Sequence, residues 1–139
     1  REIVHHRKIK LIETTEDLKK LFSYIPAFKQ NKFFAQVFQA VRIEVNQELE
    51  VLKEMLMQSY NILKSDGRLV VISYHSLEDR LVKRFLKNGM FEGEPARDIY
   101  GNYAKAFNLL QSKAIVPDQA EIEENSRARS AKMRVGIKI

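Results

Sequence analysis

The chain has 139 residues, of which 45% are hydrophobic and 30% are charged, proportions that indicate a globular protein and exclude a disordered one. It has no cysteine, which excludes disulfides, thiolate metal ligands and thiol nucleophiles. It also has no apolar run near the roughly 18 residues of a membrane span and no apolar leader core. We therefore expect a cytoplasmic protein without a membrane partner. The chain starts at Arg1 rather than at Met, which suggests a piece of a longer protein.

Positive charge is concentrated at the two ends of the chain. The formal net charge is +6, and residues 125–139 contain five basic side chains and no acidic one. Residues 1–10 contain four basic side chains and one acidic one. Clustered positive charge favours a polyanion such as RNA, although the solvated ends of a mildly basic protein carry the same pattern.

The first half of the chain is predicted to be helical. Thr14 or Thr15 is a suitable N-cap for a short helix, and Pro26 ends that helix or closely follows its end. Apolar residues at steps of three and four then predict a long helix over residues 31–64. Because this stretch is long for a globular protein, we expect a break at Asn46, with Asn46 capping a second helix that starts at the next residue.

The run RLVVISY at residues 68–74 is the clearest strand signal. Its continuous apolar stretch predicts a strand that is buried on both faces, as in a parallel sheet. Ser76 is predicted to cap the helix that follows, with Asp79 completing a capping box, and Asn88 and Gly89 end that helix. Since one strand cannot form a parallel sheet alone, we expect its neighbours to come from a preceding segment absent from this chain, or from another chain.

The last third of the chain is predicted to close the sheet. Residues 107–112 form a short strand, Pro117 begins a short acidic helix that ends near Asn125, and residues 126–132 form a basic loop. Residues 133–139 alternate between apolar and polar side chains, which predicts a final strand. We expect the two late strands to form an antiparallel hairpin on the edge of the sheet.

The turn after the first predicted strand is the first candidate site. In open α/β sheets, ligands bind at the carboxyl ends of strands, where Ser73, His75 and Ser76 fall. His75 can donate or accept a hydrogen bond near neutral pH, and we predict that these three side chains bind substrate. The alternative for Ser76, together with Asp79, is that it only caps the helix.

Arg42 and Asn46 form the second candidate site. They lie four residues apart and so share one face of a helix, from which they can bind a base or a phosphate of the substrate. The alternative is a salt bridge for Arg42 and a helix cap for Asn46. No residue of the chain is assignable as catalytic, and His5 and His6 have no partner at metal-ligand spacing, so we predict no metal site.

The segment NSRARSAKMR at residues 125–134 is the third candidate site. Small residues alternate there with basic ones, which suits close approach to RNA phosphates. The alternative is a solvated surface loop. The predicted RNA-binding residues are Arg127, Arg129, Lys132 and Arg134.

Three stretches in one order resemble the RsmH (MraW) family, whose members methylate the exocyclic N4 of a cytosine in 16S rRNA. They are VFQAVRIEVNQEL, GRLVVISYHSLEDRLVKRF and PDQAEIEENSRARSAKMRV. The departures from the family pattern are mild and occur at Val41, Tyr74, Ser126 and Met133. Many members carry a His-Pro-Ala-Thr-Arg run where residues 33–36 here read Phe-Phe-Ala-Gln, so no role of that His or Arg carries over.

The resemblance implies a mostly helical α/β fragment, the C-terminal part of a class I (Rossmann-like) methyltransferase that uses S-adenosylmethionine. Residues 1–34 would be the end of an inserted helical domain. Residues 35–139 would be the last part of the catalytic domain, with the fifth strand and a closing strand pair. The main cofactor site would lie on the absent part, because no Gly-rich loop occurs here. The partner would be 16S rRNA or the small ribosomal subunit, and the fragment alone would be inactive.

Two alternatives to that picture follow from the sequence. The chain could be a stand-alone, basic, helical module that binds RNA or the ribosome, in which case RNA binding would depend steeply on salt. The strand without neighbours could also pair with the same strand of a second copy, which would give a homodimer specific to the fragment.

Overall fold

A computed structural model describes all 139 residues of the chain. The chain folds as two compact units, an N-terminal unit of Arg1–Glu48 and a C-terminal unit of Leu49–Ile139. No helix combines the length and the apolar character needed to cross a membrane. The predicted assignment of residues 1–34 to an inserted domain and of residues 35–139 to a catalytic domain stays a prediction.

The N-terminal unit contains α1 (Glu2–His6), α2 (Thr15–Leu21) and α3 (Ala27–Val45). The predicted threonine cap of the short helix is confirmed at Thr14, whose Oγ1 accepts a hydrogen bond of 3.0 Å from the Asp17 amide. The Asp17 carboxylate in turn accepts a bond of 3.1 Å from the Thr14 amide. These reciprocal bonds satisfy two amides that an uncapped helix start would leave unpaired.

Aromatic packing holds α2 against α3. Leu18 and Phe22 are buried, and the Phe22 ring lies edge-on to the Phe33 ring with 5.0 Å between the ring centroids. Edge-to-face contacts of this kind add to the burial of the rings themselves. Pro26 directly precedes α3 as its N-cap residue, several residues after α2 has ended.

The long helical stretch breaks at the predicted position, by a different local geometry. Asn46 is the C-cap of α3, and Gln47 takes a left-handed backbone angle φ of 52°. α4 then begins at Glu48 and runs to Ile62 (Glu48–Ile62). Asn46 therefore closes the first helix, whereas the prediction made it the N-cap of the second.

The C-terminal unit is a small α/β structure. The bounds of its further elements are β1 (Arg68–Ser73), α5 (Ser76–Asn88), β2 (Phe107–Leu109), α6 (Gln119–Glu124), a 3-10 helix (Ser126–Ser130) and β3 (Lys132–Lys138). The prediction of a mostly helical α/β chain is confirmed. The predicted strand over 107–112 is shorter than expected, and the predicted basic loop begins as a 3-10 helix.

The three strands form one antiparallel sheet in the order β1-β3-β2. β3 pairs with β1 from Arg68↔Ile137 to Ser73↔Lys132 and with β2 from Phe107↔Lys138 to Leu109↔Gly136. One prediction is therefore corrected, since β1 has a neighbour, β3, within this chain. The predicted antiparallel pair of late strands is confirmed, with β2 at the edge of the sheet and β3 between β1 and β2. The other edge of β1 has no strand partner in the chain.

The core of this unit lies between the sheet and the helices α4 and α5. Five fully or almost fully buried side chains form it: Leu56, Val82, Phe85, Leu86 and Phe107. Gly136 at the centre of β3 lets α5 approach closely, since a Cβ there would lie 2.7 Å from Cδ2 of Leu86.

The two faces of the sheet differ in what covers them. We call the face toward α4 and α5 the inner face; Leu69 and Val71 of β1 pack against the core there. Because side chains alternate along a strand, the opposite, outer face carries Val70, Ile72, Met133, Val135 and Ile137. Val70 and Ile72 are each 53% exposed. The prediction that β1 is buried on both faces is thus wrong within this chain, which covers only one face.

β3 presents its basic residues to the inner face. Lys138 Nζ donates hydrogen bonds of 2.7 Å to the Tyr60 carbonyl and 2.8 Å to the Leu63 carbonyl, and it lies 4.3 Å from the centre of the Tyr60 ring. Carbonyls in the last turn of a helix have no partner within the helix. Lys138, one of the basic residues of the C-terminal cluster, therefore caps the end of α4.

Candidate functional site

The turn that follows β1 is held by a capping box centred on His75. Nδ1 of His75 accepts a hydrogen bond of 3.4 Å from the Leu77 amide. One oxygen of Glu78 accepts from the amides of Tyr74 at 3.1 Å and His75 at 3.2 Å. The prediction of Ser76 and Asp79 as the capping pair is therefore wrong by one residue, because His75 and Glu78 fill those roles and Ser76 is the first residue of α5.

The capping bond decides which groups of the turn remain available to a ligand. With Nδ1 of His75 used as an acceptor, the neutral imidazole carries its proton on Nε2, which is then a donor. The Ser76 side chain is exposed. Ser73 is only 5% exposed, and its hydroxyl donates a bond of 3.4 Å to the Lys132 carbonyl. Ser73 therefore ties the end of β1 to β3, and its predicted contact with substrate stays a prediction.

Asp79 is paired with two basic residues of β3. Its carboxylate accepts two hydrogen bonds from Arg134, 2.6 Å from Nε to Oδ1 and 3.2 Å from Nη2 to Oδ2. Nζ of Lys132 lies 3.8 Å from Oδ2. Burial would raise the pKa of Asp79, but the hydrogen bond and charge of Arg134, followed by the charge of Lys132, outweigh it and lower that pKa.

This pairing bears on the prediction that Arg134 binds RNA. Its side chain is 10% exposed, and the bidentate pair with Asp79 uses Nε and Nη2, two of the three guanidinium nitrogens. Binding of RNA by Arg134 stays a prediction. Local sequence gave no signal for the pair, because its members are 55 positions apart and meet only through the register of β1 and β3.

The 3-10 helix presents the remaining basic residues. Oδ1 of Asn125 accepts a bond of 3.2 Å from the Arg127 amide, and Ala128 is 6% exposed, so the segment is capped and anchored. Arg127 and Arg129 are exposed and take part in none of the ion pairs. The side chain of Lys132 is 44% exposed.

Two of the three predicted sites are brought together in the C-terminal unit. Ser73 is the register partner of Lys132, so the turn after β1 lies beside the start of β3 and the 3-10 helix that precedes it. We call this arrangement the strand-end site: the turn 73–76, the 3-10 helix Ser126–Ser130, and Lys132. It combines hydrogen-bonding groups on one side with positive charge on the other, where Arg127 and Arg129 take part in no ion pair and Lys132 lies beside Asp79.

Arg42 and Asn46 belong to the N-terminal unit and are both bonded to Glu48. Arg42 contacts the Glu48 carboxylate through Nε at 2.9 Å and Nη2 at 3.1 Å. Nδ2 of Asn46 donates a bond of 3.1 Å to the same carboxylate. The alternative of a salt bridge for Arg42 is thus confirmed, as is a capping role for Asn46, although at the end of α3. Their binding of substrate stays a prediction.

No group of three or more His, Asp or Glu side chains converges in a way that could hold a metal ion. The glycines, five in all, never form a G-x-G pattern, which a dinucleotide-type loop needs for close approach to its ligand. The chain therefore has no loop of this type, and the location of the main cofactor site outside this chain stays a prediction.

The family model described as the MraW methylase family matches residues 1–139. The chain is 60% identical over 139 residues to the ribosomal RNA small subunit methyltransferase H of Flavobacterium johnsoniae, covering 99% of this chain and 45% of that protein. It is 53% identical to the protein of the same name from Flavobacterium psychrophilum, covering 99% of this chain and 47% of the relative.

A third relative, from Amoebophilus asiaticus, carries the same name. It is 60% identical over 126 residues, which cover 90% of this chain and 41% of the relative. The chain thus spans somewhat less than half the length of these relatives. Since the family model matches it from the first residue to the last, the chain belongs to the MraW methylase family.

Proposed function

We propose that the protein containing this chain is an S-adenosylmethionine-dependent methyltransferase that acts on the exocyclic N4 of a cytosine in 16S rRNA. This chain is its substrate-side, C-terminal part. The observation that carries the proposal is the strand-end site, where the turn bearing His75 and Ser76 lies beside the basic 3-10 helix. The names of the relatives, each a ribosomal RNA small subunit methyltransferase, support the same substrate class.

The sheet supports the class I fold that we propose for the complete protein. An antiparallel strand between two others fits the closing end of a larger sheet in which β1 is the fifth strand. The unpaired edge of β1 offers backbone groups to a further strand, and the apolar outer face offers a surface for helices. Both would be supplied by the part of the protein outside this chain.

The cofactor would bind mainly on that other part. When bound, S-adenosylmethionine supplies an electrophilic methyl group on a sulfonium. Since this chain lacks a Gly-rich loop, we propose that it contributes no main cofactor contact and is inactive alone. The cytoplasm, where ribosomal RNA is modified, is the location that this function implies.

The residues of the strand-end site can meet the two demands of the reaction on the RNA side. Cytosine N4 is a poor nucleophile because its lone pair is delocalised into the ring, so the base has to be aligned closely and taken out of its stack. Nε2–H of His75 and the hydroxyl of Ser76 offer hydrogen bonds to the base. Arg127, Arg129 and Lys132 offer charge to the phosphates.

A methyl-transfer assay on 16S rRNA tests the proposal. The complete protein with labelled S-adenosylmethionine should produce N4-methylcytidine, identified by mass spectrometry of the digested RNA. The 139-residue chain under the same conditions should transfer nothing. Another methylated nucleoside, or none, would contradict the proposed activity, whereas turnover by the short chain would contradict only its proposed role as an incomplete part. The alternative of a stand-alone RNA-binding module has no support among the relatives.

A further inference from the structure

Asp79 joins the two sides of the strand-end site. It is the one acidic residue among the buried side chains of the chain, and it lies in the first turn of α5, where its amide donates a bond of 3.0 Å to the His75 carbonyl. Its carboxylate is held by Arg134 and approached by Lys132. Asp79 therefore fixes the start of α5 to β3, while the pairing of Ser73 with Lys132 fixes the other end of the turn.

We infer that Asp79 is a positioning residue for the RNA substrate: through Arg134 and Lys132 it sets the turn bearing His75 and Ser76 relative to the basic 3-10 helix. This inference rests on the proposed function. One RNA strand has a fixed distance between a base and its neighbouring phosphates. Contacts to both are made together only if the turn and the 3-10 helix keep a fixed separation.

The negative charge of Asp79 indicates that it positions the RNA-binding elements rather than attracting RNA electrostatically. A carboxylate beside Arg127, Arg129 and Lys132 reduces the positive potential that attracts phosphates. For simple electrostatic attraction of RNA, a neutral residue at position 79 would serve better. The acid is useful to RNA binding only if the geometry that it imposes outweighs the charge that it removes.

Stability alone is also a weak reason for this ion pair. Buried ion pairs pay a desolvation cost that often cancels their attraction, and apolar replacements of similar volume are frequently as stable. The hydrophobic core of the C-terminal unit is formed by other residues. What an apolar pair could not supply is the bidentate geometry, which fixes both the distance and the orientation of α5 on β3.

The test uses Asp79→Asn in the complete protein, with kcat and KM for transcribed 16S rRNA and the Kd for the same RNA. Thermal unfolding of each variant shows the temperature at which it is fully folded, and the kinetics are measured there. Because small misplacements of bound groups are costly, we expect KM and Kd to rise on the order of 10-fold. The slope of log Kd against log salt should not fall, since the phosphate-binding cations remain.

Glu124→Gln is the matched control. Glu124 is exposed near the end of α6, just before the 3-10 helix, and it takes part in none of the ion pairs or side-chain hydrogen bonds. The substitution changes the net charge by the same amount as Asp79→Asn without touching the Asp79–Arg134 pair. We expect unchanged or slightly tighter RNA binding. A second variant, Arg134→Lys, keeps the charge but loses the bidentate contact, and should show a smaller rise in KM of the same kind.

The outcomes separate the possible roles. If Asp79→Asn binds RNA as tightly as the unsubstituted protein or more tightly, with an unchanged KM, the positioning role is wrong and only charge or stability remains. If it does not fold, Arg134→Lys decides in the same way. If the unsubstituted protein fails to methylate 16S rRNA, the proposed function fails first, and that result is visible before any variant is compared.

Discussion

The inner and outer faces of the three-stranded sheet differ in the type of side chain they carry and in how well those side chains are covered. On the inner face, β3 presents three basic residues, and each has a partner within the chain: Lys132 and Arg134 at Asp79, and Lys138 at the end of α4. On the outer face, apolar side chains such as Val70 and Ile72 remain half exposed. Proteins usually bury the apolar side of an alternating strand. The basic residues of the inner layer thus have their partners within the chain, whereas the outer layer is partly exposed, and we expect a further partner to cover it.

Among the substitutions that test this difference between the two faces, we expect the largest loss of stability at Lys138. Replacing Lys138→Met leaves the Tyr60 and Leu63 carbonyls without their donor at the end of α4. Hydrogen bonds to charged groups contribute about 1.5 to 3 kcal/mol, so we expect the free energy of unfolding to fall by about 2 kcal/mol. Urea unfolding of the chain followed by circular dichroism measures this change.

Lys113→Met is the control for Lys138, since Lys113 is exposed and takes part in no ion pair or side-chain hydrogen bond. It should alter the free energy of unfolding by less than about 0.5 kcal/mol. Equal losses for the two substitutions would mean that the basic residues of the inner face are merely solvated. The comparison between the two faces would then be wrong.

We expect the exposed outer face to cause self-association of the isolated chain. With its apolar side chains half exposed and one edge of β1 unpaired, we expect a homodimer of the 139-residue chain, detected by sedimentation at two concentrations. Ile72→Lys places a charge on that face. The dissociation constant of the homodimer should then rise on the order of 10-fold, since burying an Ile side chain is worth about 1.5 to 3 kcal/mol.

Leu11→Lys serves as the control for Ile72, because Leu11 is also an exposed apolar residue, 70% accessible, but lies in the N-terminal unit. It should leave the dissociation constant unchanged. A chain that is monomeric at both concentrations would show that the outer face needs no partner, and the proposed completion of the sheet by the rest of the protein would lose its physical support.

What the sequence could predict depends on how local the signal is. The Thr14 cap, the break at Asn46 and β1 were all readable, because capping residues and apolar runs act over a few neighbouring positions. The side of β3 that would face the helices was not readable. Alternation gives the period of a strand but not the identity of its partner, and the apolar side of β3 faces away from α4 and α5.

The strand-end site shows the same limit for function. Substrate binding at the turn after β1 and at the C-terminal segment stays a prediction. The motifs gave these as two separate candidate sites and did not show that the β1–β3 register places them side by side. They did not distinguish Arg134 from Arg127, two arginines of one segment. That distinction depends on Asp79, which reaches Arg134 and Lys132 because the β1–β3 register places both on the inner face.

The smallest expected effect concerns the pH dependence of stability. The pKa of Asp79 is lowered in the folded chain from its ordinary value of 3.8, so the folded state binds this proton more weakly than the unfolded state. The stability that the Asp79–Arg134 pair contributes is therefore fully present above that ordinary value. It is lost as pH falls below it, through the lowered folded-state pKa.

This pH dependence is tested by urea unfolding at several pH values from neutral to acid, which gives the free energy of unfolding at each pH. The parent chain should lose more stability in the acid range than Asp79→Asn, which has no carboxylate to protonate. Asp17 also has a lowered pKa, owing first to its bond with Thr14, and it supplies the comparison within the same chain. Asp17 is less buried than Asp79, so solvent screening makes the change in acid sensitivity of Asp17→Asn the smaller one. If the free energy of unfolding depends on pH in the same way for the parent chain and for Asp79→Asn, the Asp79–Arg134 pair contributes no charge-dependent stability.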